Sequence, residues 1–362
     1  MQFQVRKNNF EEHRLVDHSL NLDAPSLAEG EIVVRLDAFA YTANNITYAV
    51  LGDRMGYWQF FPAAEDSETW GVIPVWGFAD VVASASQEIP VGDRLFGYFP
   101  PATHLKLVPS HVSPRRFVDS SEHRRTLPAG YNLYQRVLAE SNYSQAMDRE
   151  RMLLFPLHLT SYCLWDLLQD KNWYEATQIV ILSASSKTSI GLAHAIAADQ
   201  QSPKLIGISS TPNLPALQPL GLYETILAYE DLTKIDAKQS TVIVDMSGNG
   251  AVLTQLNQHL GSQRAFTIRV GLTHWQKGAT FADSSMERSE VFFAPSHIQR
   301  RLKEWGPAKY QKKTTDFMLG AAQQLKAWLS FRELDGLEGL QKLHTAVCKG
   351  KVPPNEGLIV KL

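Results

Sequence analysis

The stretch Gln178 to Ala198, QIVILSASSKTSIGLAHAIAA, changes its hydrophobic period across one short run of small residues. Val180, Ile181 and Leu182 form an apolar run of the kind that fills a parallel strand buried on both faces. Beyond the turn, Ile190, Ala193, His194 and Ala197 recur at helical spacing, with Thr188 or Ser189 as the expected N-cap. A strand that runs through a tight turn into a helix presents backbone amides and the positive end of the helix dipole, which together suit a pyrophosphate. The functional reading is a dinucleotide site. The usual fingerprint carries three glycines, and Gly191 is the one that stands here, so an ordinary βα turn without a ligand is an equal reading of this segment taken alone.

The residues downstream extend the pattern. KLIGISS at Lys204 to Ser210 reads as a second strand, LPALQPLGL as a short helix, ETILAY as a third strand and STVIVDMSG at Ser240 to Gly248 as a fourth. GAVLTQLNQHL supplies another helix, RAFTIRVGLTHW at Arg264 to Trp275 a fifth strand and SEVFFAP at Ser289 to Pro295 a sixth. Strands alternating with helices in this order predict a doubly wound parallel sheet, whose ligands sit at the carboxyl ends of the strands.

Upstream the chain reads differently. From Gln2 to about Pro109 it is strands and turns, with EIVVRLDAFAYT at Glu31 to Thr42, FADVVAS at Phe78 to Ser84 and HLKLVPS at His104 to Ser110. Val91, Gly92 and Asp93 make a turn before an apolar strand. Residues 115–150, with SSEHRR and ESNYSQAMDRER, read as a charged surface excursion with helical character. A helix is expected after Pro156, with Leu159, Cys163 and Leu167 on one face. Helices over about 296–305, 311–331 and 336–348 precede a final strand that could return to the β-rich domain.

Composition narrows the function classes. A chain of 362 residues can form two domains with sizeable cores. A net charge of -2 provides no basic field for nucleic acid. The N-terminus lacks an apolar h-region and no stretch is long enough to span a bilayer, so a cytoplasmic protein without membrane contact is expected. The two cysteines, Cys163 and Cys348, are too few for a disulfide framework or a four-cysteine zinc site. The histidines show no HxxxH or HxH pairing, so no metal site is expected.

The β-rich start with VGDRLFGY, the helix carrying HLTSY, the alternating middle and the ending LQKLHTAVCKGKVPPNEGLIVKL resemble, over nearly the whole chain, the medium-chain dehydrogenase/reductase superfamily. The likeness is to its zinc-free, quinone oxidoreductase-like branch, and more narrowly to the DUF2855 family. The resemblance implies an α/β chain with a GroES-like β-rich domain at 1–138, a Rossmann-like doubly wound parallel sheet domain at 139–305 and a C-terminal segment, 306–362, returning to the first domain. It also implies a homodimer, joined through edge strands such as RAFTIRVGL and EVFFAP. Where the superfamily's zinc enzymes place their ligands, this chain has YTANN and VIPVWGFADVV, which contain no ligand set.

The superfamily's two glycines, valine and glycine map onto Thr188, Ser189, Ile190 and Gly191, and Ser185, Ser186 and Lys187 complete the expected phosphate turn. The second strand ends in ISSTPN, where Ser209, Ser210 and Thr211 supply hydroxyl donors and no acid. A carboxylate there would favour NAD by accepting from the ribose 2′-hydroxyl, so its absence favours NADP. Lys187 is a possible charge partner for the 2′-phosphate, or simply a solvated loop lysine. Met246, Ser247, Val270 and Gly271 end the fourth and fifth strands and would reach the nicotinamide side. Thr160 and Tyr162 resemble the superfamily's threonine and tyrosine that approach the cofactor.

On the first domain, the resemblance places the substrate end at Tyr41, Asn44, Asn45 and Tyr48, with Tyr98 and Phe99 opposite. Tyr41 and Asn45 are the candidate catalytic residues, able to hydrogen-bond a substrate carbonyl and stabilise the oxyanion formed by hydride addition. The alternative is that the asparagines are turn residues and the tyrosines packed aromatics. The expectation is a zinc-independent, NADP(H)-dependent oxidoreductase acting on a small molecule with a carbonyl, quinone or activated alkene. A non-catalytic dinucleotide sensor or interaction protein on the same fold is the alternative.

Overall fold

The computed structural model describes residues 1–18, 27–270 and 287–362. Its contacts divide the chain into two compact units, Met1–Leu153 with Phe331–Val352 and Glu356–Leu362, and Leu154–Ser330 with Pro353–Asn355. The division falls at Leu153 rather than at 138. The chain returns to the first unit at Phe331 rather than at 306, because helix Pro307–Leu325 belongs to the second unit.

The second unit is built on six parallel strands in the order Thr225–Ala228, Lys204–Ser209, Gln178–Leu182, Thr241–Asp245, Arg264–Arg269, Ser289–Val291. Chain order alone would number them 3-2-1-4-5-6, the order of dinucleotide-binding sheets. Every residue of Gln178–Leu182 is buried, as a strand flanked on both sides must be. Leu182 pairs with Ile208 on one side and with Asp245 on the other. The direction of the sheet's winding therefore reverses directly above the SASSKTSIG turn. Val180, Leu182, Ile208 and Ile243 pack with Val252, Leu253, Leu256 and Leu260 of helix Gly250–Leu260 into the core below it.

The first unit is antiparallel. Ile32–Tyr41 pairs with Val75–Ser84, with His104–Leu107 and with the C-terminal strand Glu356–Lys361 in a nine-stranded sheet. A three-stranded sheet of Gln2–Arg6, Asn9–Val16 and Trp70–Gly71 accompanies it. The turn expected at Val91–Asp93 is present, with Gly92 at φ +89°.

Three expected elements differ. The 115–150 stretch is not a surface excursion: Arg116–Asp119 and Leu133–Arg136 are strands of the large sheet, and Asp119 and Arg124 between them are buried. The helix expected after Pro156 starts earlier and runs Asp148–Asp170 with the proline inside; Leu159 is half-buried, while Leu157, Cys163, Leu164, Leu167 and Leu168 form the packed face. The helix expected over 311–331 runs Pro307–Leu325, and Ser330–Asp335 is a strand.

One local conformation has no sequence signal. Asn172, Trp173, Tyr174 and Glu175 all hold positive φ, from +48° to +58°. Left-handed backbone costs an L-residue roughly 1–2 kcal/mol, and the run is held by the buried Trp173 and by Tyr174 stacked on Phe266 with centroids 4.2 Å apart. Glu175 is exposed. Glu175→Gly is expected to raise stability by about 0.5–1 kcal/mol, the relieved strain exceeding glycine's extra chain entropy. A urea midpoint at or below that of the wild type would refute this.

Candidate active site

The turn above strand Gln178–Leu182 does two of the fingerprint's three glycine jobs with other residues. The tight exit from the strand, normally the first glycine's, is made by Ser183 at φ +61°, its amide donating to the Tyr229 hydroxyl at 3.1 Å. The close packing normally given by the third glycine is kept by Gly191. A Cβ there would lie 2.7 Å from both His158 Cδ2 and Ser161 Oγ, so any side chain would push helix Lys187–Ala197 off helix Asp148–Asp170. Ser161 Oγ also donates to Thr188 O at 2.7 Å and locks the two helices at the turn.

The N-cap is Ser186, not Thr188 or Ser189. Its side chain accepts from the Ser189 amide at 3.1 Å and donates to Ser189 Oγ at 2.8 Å. Ser189 is thereby fully buried, and its hydroxyl, which stands where a glycine would otherwise sit, is turned into the cap rather than outward. The cap takes the Ser189 amide and not that of Thr188, which is half-exposed in the first turn of an eleven-residue helix. That end of the helix carries the positive dipole. These residues fit a pyrophosphate.

The remaining expected cofactor residues fall into two groups. Ser185 and Ser209 are buried and bonded to each other, Oγ to Oγ at 2.9 Å, with Asn213 Nδ2 donating to Ser185 Oγ at 3.2 Å. This corrects Ser209 as an outward donor. Ser210 is half-exposed and Thr211 exposed, and the Thr211 hydroxyl donates to Glu230 Oε2 at 3.3 Å. Lys187 is not a solvated loop lysine, since its ammonium donates to Pro354 O at 2.8 Å. Ile190 is core. Met246 and Ser247 are buried in a turn set by Asp245, whose Oδ1 accepts from the amides of Ser247 (2.8 Å) and Gly248 (3.1 Å) and from Ser247 Oγ (2.6 Å). Burial raises the Asp245 carboxyl above its ordinary value, against those three hydrogen bonds. The Val270 amide donates to Asp245 O at 2.9 Å, and Gly271 lies outside the described residues. Thr160 Oγ1 donates to Pro156 O at 3.0 Å; Tyr162 is buried against Trp165 and Phe317.

In the first unit the two candidate catalytic residues are engaged internally. Tyr41 is fully buried with its hydroxyl 3.0 Å from His344 Nδ1. Asn45 closes a capping box, accepting from the Thr42 amide at 2.8 Å and donating to Pro74 O at 2.8 Å. Phe99 is core, its ring tilted against Tyr134 with centroids 5.1 Å apart. What the fold brings together instead is an aromatic cluster of Tyr48, Tyr57, Tyr98, Tyr131 and Trp76. The ring centroids of Tyr48–Tyr57 and of Tyr98–Tyr131 are both 4.7 Å apart. Trp76 Nε1 donates to the Tyr48 hydroxyl at 3.3 Å, the Tyr57 and Tyr131 hydroxyls meet at 3.0 Å, and the buried Tyr98 hydroxyl has no partner in hydrogen-bonding geometry among the described residues. Burial raises the pKa of all four phenols, so they stay neutral and can donate but not act as bases. Asn44, half-exposed, precedes this cluster on the helix Ala43–Val50. Tyr57 and Tyr131 gave no sequence signal, since they lie 74 residues apart and meet only in the folded unit.

Comparison with known proteins gives the following. A family model described as a protein of unknown function, DUF2855, matches residues 39–353. A search of curated proteins gave no match. Among solved structures, that of CurA from Vibrio vulnificus in complex with NADPH superposes with a TM-score of 0.62 at 15% identity, covering 99% of this chain and 98% of that chain. The yhdH oxidoreductase from Salmonella enterica in complex with NADP does so at 0.55 and 12%, covering 99% of each chain. A mutant form of enoyl thioester reductase from Candida tropicalis gives 0.55 and 12%, covering 100% of each. At these identities the likeness establishes a fold shared with these proteins.

Proposed function

The chain belongs to the DUF2855 family, and from that premise we propose that it is a zinc-independent, NADP(H)-dependent oxidoreductase of the medium-chain type, transferring hydride to a carbonyl, quinone or activated alkene. The observation that carries this reading is the glycine-poor turn itself. Ser183 and Gly191 reproduce the strained exit and the close helix packing of a dinucleotide fingerprint at the switch point of a 3-2-1-4-5-6 sheet. The similar fold of proteins crystallised with NADPH or NADP supports the choice of cofactor. So do the hydroxyls of Ser210 and Thr211 beyond the second strand.

The cofactor, when bound, supplies the hydride. The chain's part is to hold and orient. The first turn of helix Lys187–Ala197 takes the pyrophosphate, and the Asp245-bound turn Met246–Gly248 shapes the neighbouring strand end. In the first unit, the neutral phenols of Tyr48, Tyr57, Tyr98 and Tyr131, with Asn44, are hydrogen-bond donors of the kind that stabilises an oxyanion. No three His, Cys, Asp or Glu side chains among the described residues are placed to share a metal. The edge strand Ser289–Val291, with Val291 exposed, is the surface for a homodimer. No described helix is long and apolar enough to cross a membrane.

NADPH is expected to bind more tightly than NADH in a fluorescence titration and to be consumed with a member of a quinone and enal panel. Failure to bind either dinucleotide defeats the reading. The locked side chains of Tyr41 and Asn45 favour a second reading, a dinucleotide sensor, and binding without turnover across the panel would select it. Thr188→Glu separates binding from folding. A carboxylate in the first helical turn stabilises the helix through its dipole but repels a pyrophosphate. We expect an unchanged or higher melting temperature and NADPH binding weakened at least about tenfold. Undiminished binding would place the phosphates elsewhere.

A further inference from the structure

We propose that Glu230 is a specificity-determining residue that holds down affinity for the 2′-phosphate of the dinucleotide. This rests on the assignment of a dinucleotide site to the SASSKTSIG turn and goes beyond it.

Residues just beyond the second strand of such a sheet meet the adenosine ribose. In this chain that strand is Lys204–Ser209, and no acid follows it in sequence until well beyond the ISSTPN turn. The fold supplies one from the next strand. Thr225–Ala228 pairs in parallel with Lys204–Ser209, Ala228 opposite Ser209, so Tyr229 and Glu230 leave the sheet beside Ser210 and Thr211. There the Thr211 hydroxyl donates to Glu230 Oε2 at 3.3 Å.

The hydroxyls in this corner are divided between two tasks. Ser209 is buried and bonded to Ser185, so Thr211 is the exposed donor. Glu230 has already engaged it. Asp231, the next acid, is neutralised by Lys234 at 3.0 Å, whereas Glu230 makes no ion pair among the described residues. A full negative charge therefore stands at the donor a 2′-phosphate would seek. A phosphate must displace that carboxylate and face its charge, whereas a 2′-hydroxyl can donate to it and keep Thr211 bonded. Glu230 thus narrows the preference for the phosphorylated cofactor.

The test is a fluorescence titration of NADPH and NADH into wild type and Glu230→Gln at low and high salt. Glu230 is exposed, so the variant keeps the fold. We expect NADPH to bind about fivefold more tightly to the variant at low salt, the gain shrinking at high salt, with NADH unchanged or weaker. If wild type binds both dinucleotides and Glu230→Gln leaves NADPH unchanged, or tightens both alike, Glu230 does not read the 2′ position and this inference fails alone. If neither protein binds either dinucleotide, the cofactor site itself is wrong and the inference falls with it.

Discussion

Asp119→Ala is expected to destabilise the first unit by about 3–5 kcal/mol, the cost of stranding a buried charge. Asp119 and Arg124 have side-chain exposures of 0% and 1%, so no solvent screens what is left when either is removed. Asp119 Oδ2 accepts from Arg124 Nε at 2.5 Å, while Oδ1 accepts from the Val108 amide at 2.7 Å and Ser121 Oγ at 3.0 Å. The guanidinium in turn donates to the Tyr134 hydroxyl at 3.0 Å, and that hydroxyl donates to Tyr98 O at 2.6 Å. Phe61 and Tyr134 cover its faces. Alanine at 119 deletes the counter-charge and orphans the Val108 amide. The double variant Asp119→Ala/Arg124→Met removes both charges and is expected to recover most of the loss, since replacing a buried pair by apolar groups is far milder than halving it. Urea unfolding of wild type, single and double variants decides. Equal losses in single and double variants would mean that the pair contributes packing rather than charge. Because the network ends on the Tyr98 backbone, the single variant should also loosen the tyrosine cluster.

The same pair shows where sequence reading ends. SSEHRR reads as a solvated charge run because local composition carries no record of what a strand on the far side will bury. The interaction exists only once Arg116–Asp119 and Leu133–Arg136 pair. By contrast, the strand, turn and helix of Gln178 to Ala198 were legible, since a change of hydrophobic period is local, and so was the sheet's alternation. The return of the C-terminal strand to the first unit is seen in the pairing of Leu358 with Tyr41. The site was legible in its location more than in its members. Counting glycines hid Ser183, because a serine at positive φ looks like any serine until Tyr229 is seen to hold its amide. Searching the second strand for an acid missed Glu230, which reaches the same corner from 19 residues away. Tyr41 and Asn45 were polar residues at a strand exit, and whether such residues face a ligand or the interior depends on partners such as His344 and Pro74 that lie far along the chain.

Acidification is expected to weaken both units well above the range where carboxylates titrate. Burial pushes His344 in the first unit down to about 4 and His158 in the second down to about 3. Both rings are fully buried. His344 is built to be neutral, with Nε2 donating to Phe10 O at 2.6 Å and Nδ1 accepting from Tyr41. His158 is more exposed to this penalty, because neither ring nitrogen has a hydrogen-bond partner among the described residues, the ring lies against Gly191 and Phe317, and the half-buried His194 opposes a charge there. In the unfolded chain both protonate near 6.5. Below that pH the unfolded state binds protons the native state refuses, so the stability each neutral ring contributes is complete above 6.5 and is lost as pH falls toward 4 and 3. By pH 5 the loss is about 2 kcal/mol for each ring. His158→Leu isolates the effect. It removes two unpartnered polar atoms from the interior, so the variant should match the wild type at pH 7 to within about 1 kcal/mol and exceed it by about 2 kcal/mol at pH 5. Hydrogen exchange of strand Gln178–Leu182 at the two pH values reads this in the second unit alone. Equal acid sensitivity of variant and wild type would show that His158 is already charged in the native fold, with a partner that compensates it.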